Sequence, residues 1–194
     1  MGVTKNRRSR YTEEALREML LAELKKKPIS KVSVTELCKG ARIDRSTFYL
    51  HYEDVFALLR SVEEEELSCI RSEAERLLDA IVPGNQVVEE ILLYLRRERE
   101  KYLVLLREGS PLFWKTVREE LQGLFKEKLL QQYPHKASQL GEKELEDGIT
   151  FITNGFYGIY RRWLESEEMG DIGYIARLST RLSTACIQEL LGDS

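Results

Sequence analysis

The chain reads as all-α: an N-terminal three-helix head joined by a long fourth helix to a C-terminal helical bundle, about nine helices in total. Three observations predict this. Apolar residues recur at three- and four-residue steps, as in Leu59, Val62, then Leu67, Ile70, Ala74, Leu77 and Ile81. No segment shows period-two alternation bounded by turn residues, the mark of a half-buried strand. Start and stop signals such as Ser33-x-x-Glu36 and Ser110-Pro111 fall where the periodicity breaks.

Taken in order, a first helix over about 12–27 has Thr12 as N-cap and Glu13 and Glu14 in its first turn. Ala15, Met19, Leu20 and Leu24 form its inward stripe, and Pro28 stops it. Ser33 and Glu36 form a capping box, so a second helix starts at Val34, with Leu37, Cys38 and Ala41 inward. Gly40-Ala41-Arg42 marks a break. Asp44 can cap a third helix from Arg45 by accepting the amide of Ser46 or Thr47, while Ile43 and Phe48 point to the core. The fourth helix runs over about 54–81, with the acidic run Glu63–Glu66 as a solvated face. Pro83-Gly84-Asn85 ends it, and helices over about 86–97 and 99–108 follow. Ser110 as N-cap and Pro111 at the first helical position open a helix to about 132. A loop through Pro134-His135 leads to a helix over about 142–165, and Gly170-Asp171 separates that from the last, about 172–191. The expected division is a head over 1–60 and a second domain over 61–194.

The second and third helices, separated by a tight turn, leave Arg45, Ser46, Thr47 and Tyr49 on the outer side of the third helix's first turn. Those side chains suit the DNA major groove. Arg45 can pair bidentately with guanine O6 and N7, and Thr47 can offer a methyl or hydroxyl to a base edge. Ser46, Tyr49 and His51 suit phosphate oxygens, which position the helix without reading sequence. Thr35 sits at the start of the second helix, where amides and the helix dipole favour a phosphate.

The segment Lys31–Leu59 resembles the DNA-binding domain of the TetR family of bacterial transcription regulators. Its most specific part is Arg45-Ser46-Thr47-Phe48-Tyr49-Leu50-His51-Tyr52-Glu53-Asp54, similar to the family's recognition helix and the aromatic hinge into its fourth helix. One departure stands out: the family usually has Gly in the turn where this chain has Arg42. A non-Gly residue kept at φ > 0 costs on the order of 1 kcal/mol. Either the turn is rebuilt or Arg42 is tolerated because its side chain finds a phosphate.

Charge is distributed as such a reading requires. The net charge is −3, yet residues 1–60 carry 13 Lys/Arg against 8 Asp/Glu (+5), and residues 61–194 carry 17 against 25 (−8). A basic head on an acidic body focuses a polyanion onto one end. The arm Lys5, Arg7, Arg8, Arg10 either reaches phosphates or the minor groove, or is simply solvated. No apolar stretch approaches the roughly 20 residues needed to cross a bilayer, and the N-terminus lacks an apolar leader core, so a bacterial cytoplasmic protein is expected, with no membrane partner. Cys38, Cys69 and Cys186 match no metal-ligand spacing and read as unbridged, mostly buried thiols.

The last two helices contain small residues among large ones. Gly148, Gly155 and Gly158 lie among Ile149, Ile152, Phe156, Ile159 and Trp163; Ala176, Ser179, Ser183 and Cys186 lie among Ile172, Ile175, Leu182, Ile187 and Leu190. Glycines inside a helix permit close packing, either against the domain's own core or against a second copy. A two-fold four-helix interface is the more economical reading, because a reader of two half-sites needs two subunits. The expected interface set is Gly148, Ile152, Gly155, Ile159, Ala176, Ser179, Ser183 and Cys186.

The segments Glu98–Leu124 and Asp147-Gly148 through Gly155-Phe156-Tyr157-Gly158 to Arg162-Trp163-Leu164 resemble the C-terminal domain of a TetR subgroup common in Firmicutes, like the regulators of dihydroxyacetone kinase operons. The resemblance implies a homodimer reading a palindromic operator, more often as a repressor, in which a change in the C-terminal domain swings the fourth helix and separates the heads. It also implies control by a small-molecule effector or, in that subgroup, activation through a protein partner. Tyr94, Tyr102, Phe113, Trp114, Phe151, Asn154, Tyr157 and Tyr160 either line an effector cavity or form core. An enzyme is excluded on inventory: His51 and His135 lie far apart, with no nucleophile, metal partner or phosphate loop beside them. No cofactor is expected.

Overall fold

The computed structural model describes residues 7–79, 84–137 and 140–192. Among these the chain forms ten α-helices and one 3-10 turn, with no strand. The helices are α1 (Arg7–Leu24), α2 (Val34–Ala41), α3 (Arg45–His51), α4 (Val55–Asp79), α5 (Gly84–Arg97), α6 (Arg99–Glu108), α7 (Pro111–Gln132), α8 (Pro134–Ala137), α9 (Glu142–Glu165) and α10 (Ile172–Leu190). The addition to the expected nine is α8, a single turn formed where a loop through Pro134-His135 is expected. The 3-10 turn Ile29–Lys31 joins α1 to α2.

The chain divides into two compact units. One is Met1–Leu67 together with Glu100–Ser110; the other is Ser68–Arg99 with Pro111–Ser194. The expected boundary at 60/61 therefore moves into the middle of α4, and α6 joins the head. The reason is a set of buried polar contacts. Glu63 and Glu66, read in sequence as a solvated acidic face, are buried. Glu66 accepts the Tyr102 hydroxyl at 2.6 Å and the Lys101 ammonium at 2.7 Å. Glu63 accepts the Ser110 amide at 2.5 Å and its hydroxyl at 3.1 Å. Only Glu64 and Glu65 of that run face water, and Glu65 meets Arg17 of α1 at 2.6 Å.

In the head unit Leu16, Leu20 and Leu24 of α1, Leu37, Phe48, Leu58 and Leu105 have no exposed surface. Burying an aliphatic side chain of this size stabilises by about 1.5–3 kcal/mol, so this apolar centre carries the unit. Gly40 does not make the turn after α2; it lies inside the helix. A Cβ there would press on the end of the Met19 side chain of α1, which would have to shift to make room. Helix α1 begins at Arg7 rather than Thr12, and Thr12 is a buried residue within it.

In the second unit α10 packs against α5 and α9, and α7 packs against α9. Leu129, Leu145, Ile149 and Leu191 form a buried cluster joined by Phe125, Tyr133, Leu140, Ile187 and Leu190. The Arg99 guanidinium donates to the carbonyls of Leu164 and Ser166 at 3.0 and 3.1 Å, closing the end of α9. Asp171 caps α10 through the Gly173 amide at 2.9 Å.

Candidate nucleic-acid interface

Helix α2 starts on the expected reciprocal cap. The Glu36 amide donates to Ser33 Oγ at 3.3 Å, and the Ser33 amide donates to Glu36 Oε2 at 3.0 Å. Lys27 adds its ammonium to Glu36 Oε1 at 2.8 Å. Lys27 first and Ser33 second pull the Glu36 carboxyl down to about 2. Thr35, in the first turn beside this cap, is exposed.

The turn after α2 keeps its left-handed geometry. Arg42 has φ 56° and ψ 46°, the one non-glycine positive φ among the described residues. Its amide reaches the Cys38 and Lys39 carbonyls, and the Ile43 amide donates to Cys38 O at 3.0 Å, the long-range bond of a Schellman turn. The backbone is thus not rebuilt to suit Arg42, and its side chain projects into solvent. Asp44 occupies the N-cap position of α3, but its carboxylate makes no cap hydrogen bond; only its carbonyl serves, accepting from Phe48 at 3.2 Å. That corrects the expected Asp44 cap.

Helix α3 is anchored by Phe48, which has no exposed surface and packs edge-on to Tyr49 and against Tyr52. Arg45, Ser46 and Tyr49 face water, and Thr47 is half-buried at the edge. Arg45 Nη2 donates to the Tyr49 hydroxyl at 3.4 Å and the guanidinium lies 6.0 Å from the ring centroid. That hydrogen bond raises the Arg45 pKa further above its ordinary value.

His51 departs from the expected phosphate role. Its Nδ1 lies 3.1 Å from Glu13 Oε1, with the two side chains 15% and 10% exposed. The imidazole turns inward and ties the end of α3 to α1, 38 residues away in sequence. Glu13 had no sequence signal for this, because its partner is set only by the α1–α3 crossing. Of the basic arm, Arg7, Arg8 and Arg10 belong to α1, and Lys5 lies outside the described residues.

The residues expected at an effector pocket are divided between the two units and differ in exposure. Tyr102 is fully buried in the head unit and committed to Glu66. Phe151 is 72% exposed, and Asn154, also exposed, donates to the Thr150 carbonyl at 2.9 Å. Trp114 and Tyr157 are half-buried partners 6.2 Å apart, with Phe113 against Trp114 and the Arg118 guanidinium 5.4 Å over Tyr157. Tyr94 edges a shallow open groove with Ser68, Cys69, Ser72 and Glu73. Burial pushes the Tyr160 phenol up, with Ser179 the neighbour that opposes the shift.

The residues offered for a subunit interface also divide. Ile152, Ala176 and Ser179 are buried within the chain. Gly148 faces Leu190, whose Cδ2 would lie 2.6 Å from a Cβ there. These four pack within the chain. Ile159, Ser183 and Cys186 are half-buried, and Gly155 is exposed. Of the other thiols, Cys38 is buried and Cys69 exposed, the latter against expectation.

A helical head offering Arg45, Ser46 and Tyr49 outward on a short anchored helix, in an all-helical chain whose first 60 residues carry its basic excess, is that of a DNA-binding transcription regulator. The chain belongs to the TetR family. The family described as the TetR transcriptional regulator C-terminal region matches residues 85–185, and its members are regulators, not enzymes. The chain is 28% identical over 102 residues to an uncharacterized HTH-type transcriptional regulator, YxbF, of Bacillus subtilis, a match covering 50% of this chain and 27% of that relative, so it spans about a quarter of the relative's length. A TetR transcriptional regulator from Streptococcus agalactiae shares its fold, with a TM-score of 0.67 and 20% identity over 92% of this chain and 97% of that one. The dihydroxyacetone kinase operon activator DhaS does so at 0.56 and 13%, covering 92% and 97%. Thermus thermophilus FadR, a repressor solved with lauroyl-CoA, does so at 0.56 and 20%, covering 89% and 93%. Among the described residues no helix is long and apolar enough to cross a membrane.

Proposed function

We propose that the chain is a cytoplasmic repressor that binds a near-palindromic operator as a homodimer and is released by a small-molecule effector. The observation that carries the DNA contact is the outward set on α3. In this reading Arg45 takes a guanine, Thr47 touches a base edge, and Ser46, Tyr49, Thr35 and Arg42 hold phosphates. Two copies of α3 would enter successive major grooves about 34 Å apart.

Exposed faces on the last two helices support the dimer. On α9, Phe151 is 72% exposed, and a Cβ at Gly155 or Gly158 would meet nothing within 4 Å. On α10, Tyr174 is 59% and Leu182 48% exposed. A second copy would cover this surface and approach closely at the glycines. Control by a protein partner is the second reading. It is favoured by the commitment of Tyr102 to Glu66 and the exposure of Phe151 and Asn154, which leave few of the expected pocket residues facing inward.

The test uses an operator enriched from random duplex by the full-length chain. Arg45→Ala is expected to lose about 1–3 kcal/mol per half-site at fixed salt. Tyr49→Ala is expected to weaken all duplexes together. Unchanged binding by both variants sinks the assignment of α3. A reporter carrying that operator separates repression from activation by its response to loss of the protein.

A further inference from the structure

We infer that Leu50 reads a base: its side chain receives the C5-methyl of a thymine in the major groove, so that an A·T pair is part of each half-site. The inference rests on the DNA-binding reading above and deepens it.

Leu50 is 84% exposed, more than any other large hydrophobic side chain among the described residues. The aliphatic residues of the head that serve its core, Leu16, Leu20, Leu37 and Leu58, have no exposed surface at all. Leu50 is therefore not a core residue that falls slightly short of burial. Its placement follows from the helix. Successive residues step by about 100°, so with Phe48 buried the outward side of α3 holds two rows, Arg45 with Tyr49 and Ser46 with Leu50. The first row is tied internally by the Arg45–Tyr49 hydrogen bond. The second ends in a leucine.

Chemistry selects the partner. An aliphatic side chain has no donor, so a phosphate or a hydrated groove wall offers it nothing. Among the groups that base edges present in the major groove, the thymine methyl is the apolar one. Leu50 stands one turn beyond Ser46 and five residues beyond Arg45, about 7.5 Å along the helix axis, so it would meet a different base pair from the guanine that Arg45 would read.

The experiment replaces each operator thymine in turn, symmetrically in both half-sites, by deoxyuridine, which lacks the C5-methyl. Full-length protein and its Leu50→Ala variant are titrated against each duplex, with Arg45→Ala alongside. One thymine per half-site is expected to be sensitive, weakening wild-type binding about fourfold per half-site and about fifteenfold in all. The same replacement leaves Leu50→Ala binding unchanged. Leu50 is exposed, so the variant folds, and circular dichroism checks it. If every deoxyuridine is tolerated while Arg45→Ala still loses the operator, the Leu50 inference is overturned and the DNA reading stands. If the methyl effect persists in Leu50→Ala, another residue reads it and the inference fails. If no operator is enriched, or if the enriched operator is bound equally by wild type and Arg45→Ala, the DNA reading itself falls, and Leu50 with it.

Discussion

The outward side of α3 and the outward sides of α9 and α10 are both exposed, but water treats them differently. On α3 the exposed set is mainly polar, Arg45, Ser46 and the Tyr49 hydroxyl, groups that water solvates well, and Leu50 is the single aliphatic side chain among them. On α9 and α10 it includes Phe151, Tyr174 and Leu182 beside bare glycine backbone at 155 and 158. The first surface can wait for its partner. The second carries a standing hydrophobic cost of roughly 25 cal/mol per Å² until something covers it. A transient partner therefore fits α3, and a permanent one fits α9 and α10.

The largest expected effect breaks the second surface. Phe151→Asp removes two buried phenyl groups from the proposed dimer, about 3–6 kcal/mol for both copies. Sedimentation should then show a dissociation constant raised more than a hundredfold, with helicity intact. A dimer that survives unchanged would move the interface away from this part of α9. A middle effect concerns how the first surface is aimed. Arg42→Gly relieves the left-handed strain, and thermal unfolding should report a gain of about 1 kcal/mol in the head. Weaker binding to random duplex should accompany it if the guanidinium contributes a phosphate contact. Loss of stability instead would show that the Arg42 side chain does more for the fold than its backbone costs. The smallest effect lies at the start of α2. The Glu36 carboxyl, ordinarily near 4.5, sits at about 2 in the folded protein. A depressed carboxyl contributes stability that is complete above 4.5 and is lost as pH falls toward 2. The stability difference between wild type and Glu36→Gln should shrink over that interval and with added salt, since the Lys27–Glu36 pair is exposed. A difference that stays flat with pH would remove the charge from the account.

What could be read from sequence follows the range of the interactions. The capping box at Ser33, the stop at Pro28 and the opening at Pro111 are settled within a few residues, and the helices begin or end near them as expected. α3 is short and bounded on both sides, so one buried residue, Phe48, determines which others face out. Helix α9 is long and carries small and large residues on several sides. A slight difference in rotation exchanges Ile152, which is buried, for Phe151, which is not. The buried pairs were out of reach for another reason. Nothing near Glu63 or Glu66 announces Ser110, Lys101 or Tyr102, and nothing near His51 announces Glu13. Each pairing is made by a helix crossing that brings distant segments together. An acidic run with no visible partner reads as solvated until the fold supplies one.

The contacts of Glu63 and Glu66 also bear on when the head can finish folding during synthesis. The head unit is discontinuous along the chain: its second piece, Glu100–Ser110, follows a stretch that belongs to the other unit. While the chain is being synthesised, α1 to α3 emerge early, but the two carboxylates have no hydroxyl or ammonium to hold until Lys101, Tyr102 and Ser110 have left the ribosome. A nascent head therefore passes through a stage in which part of its interior is unfinished, and its final stability arrives with residues that carry no DNA-reading role at all.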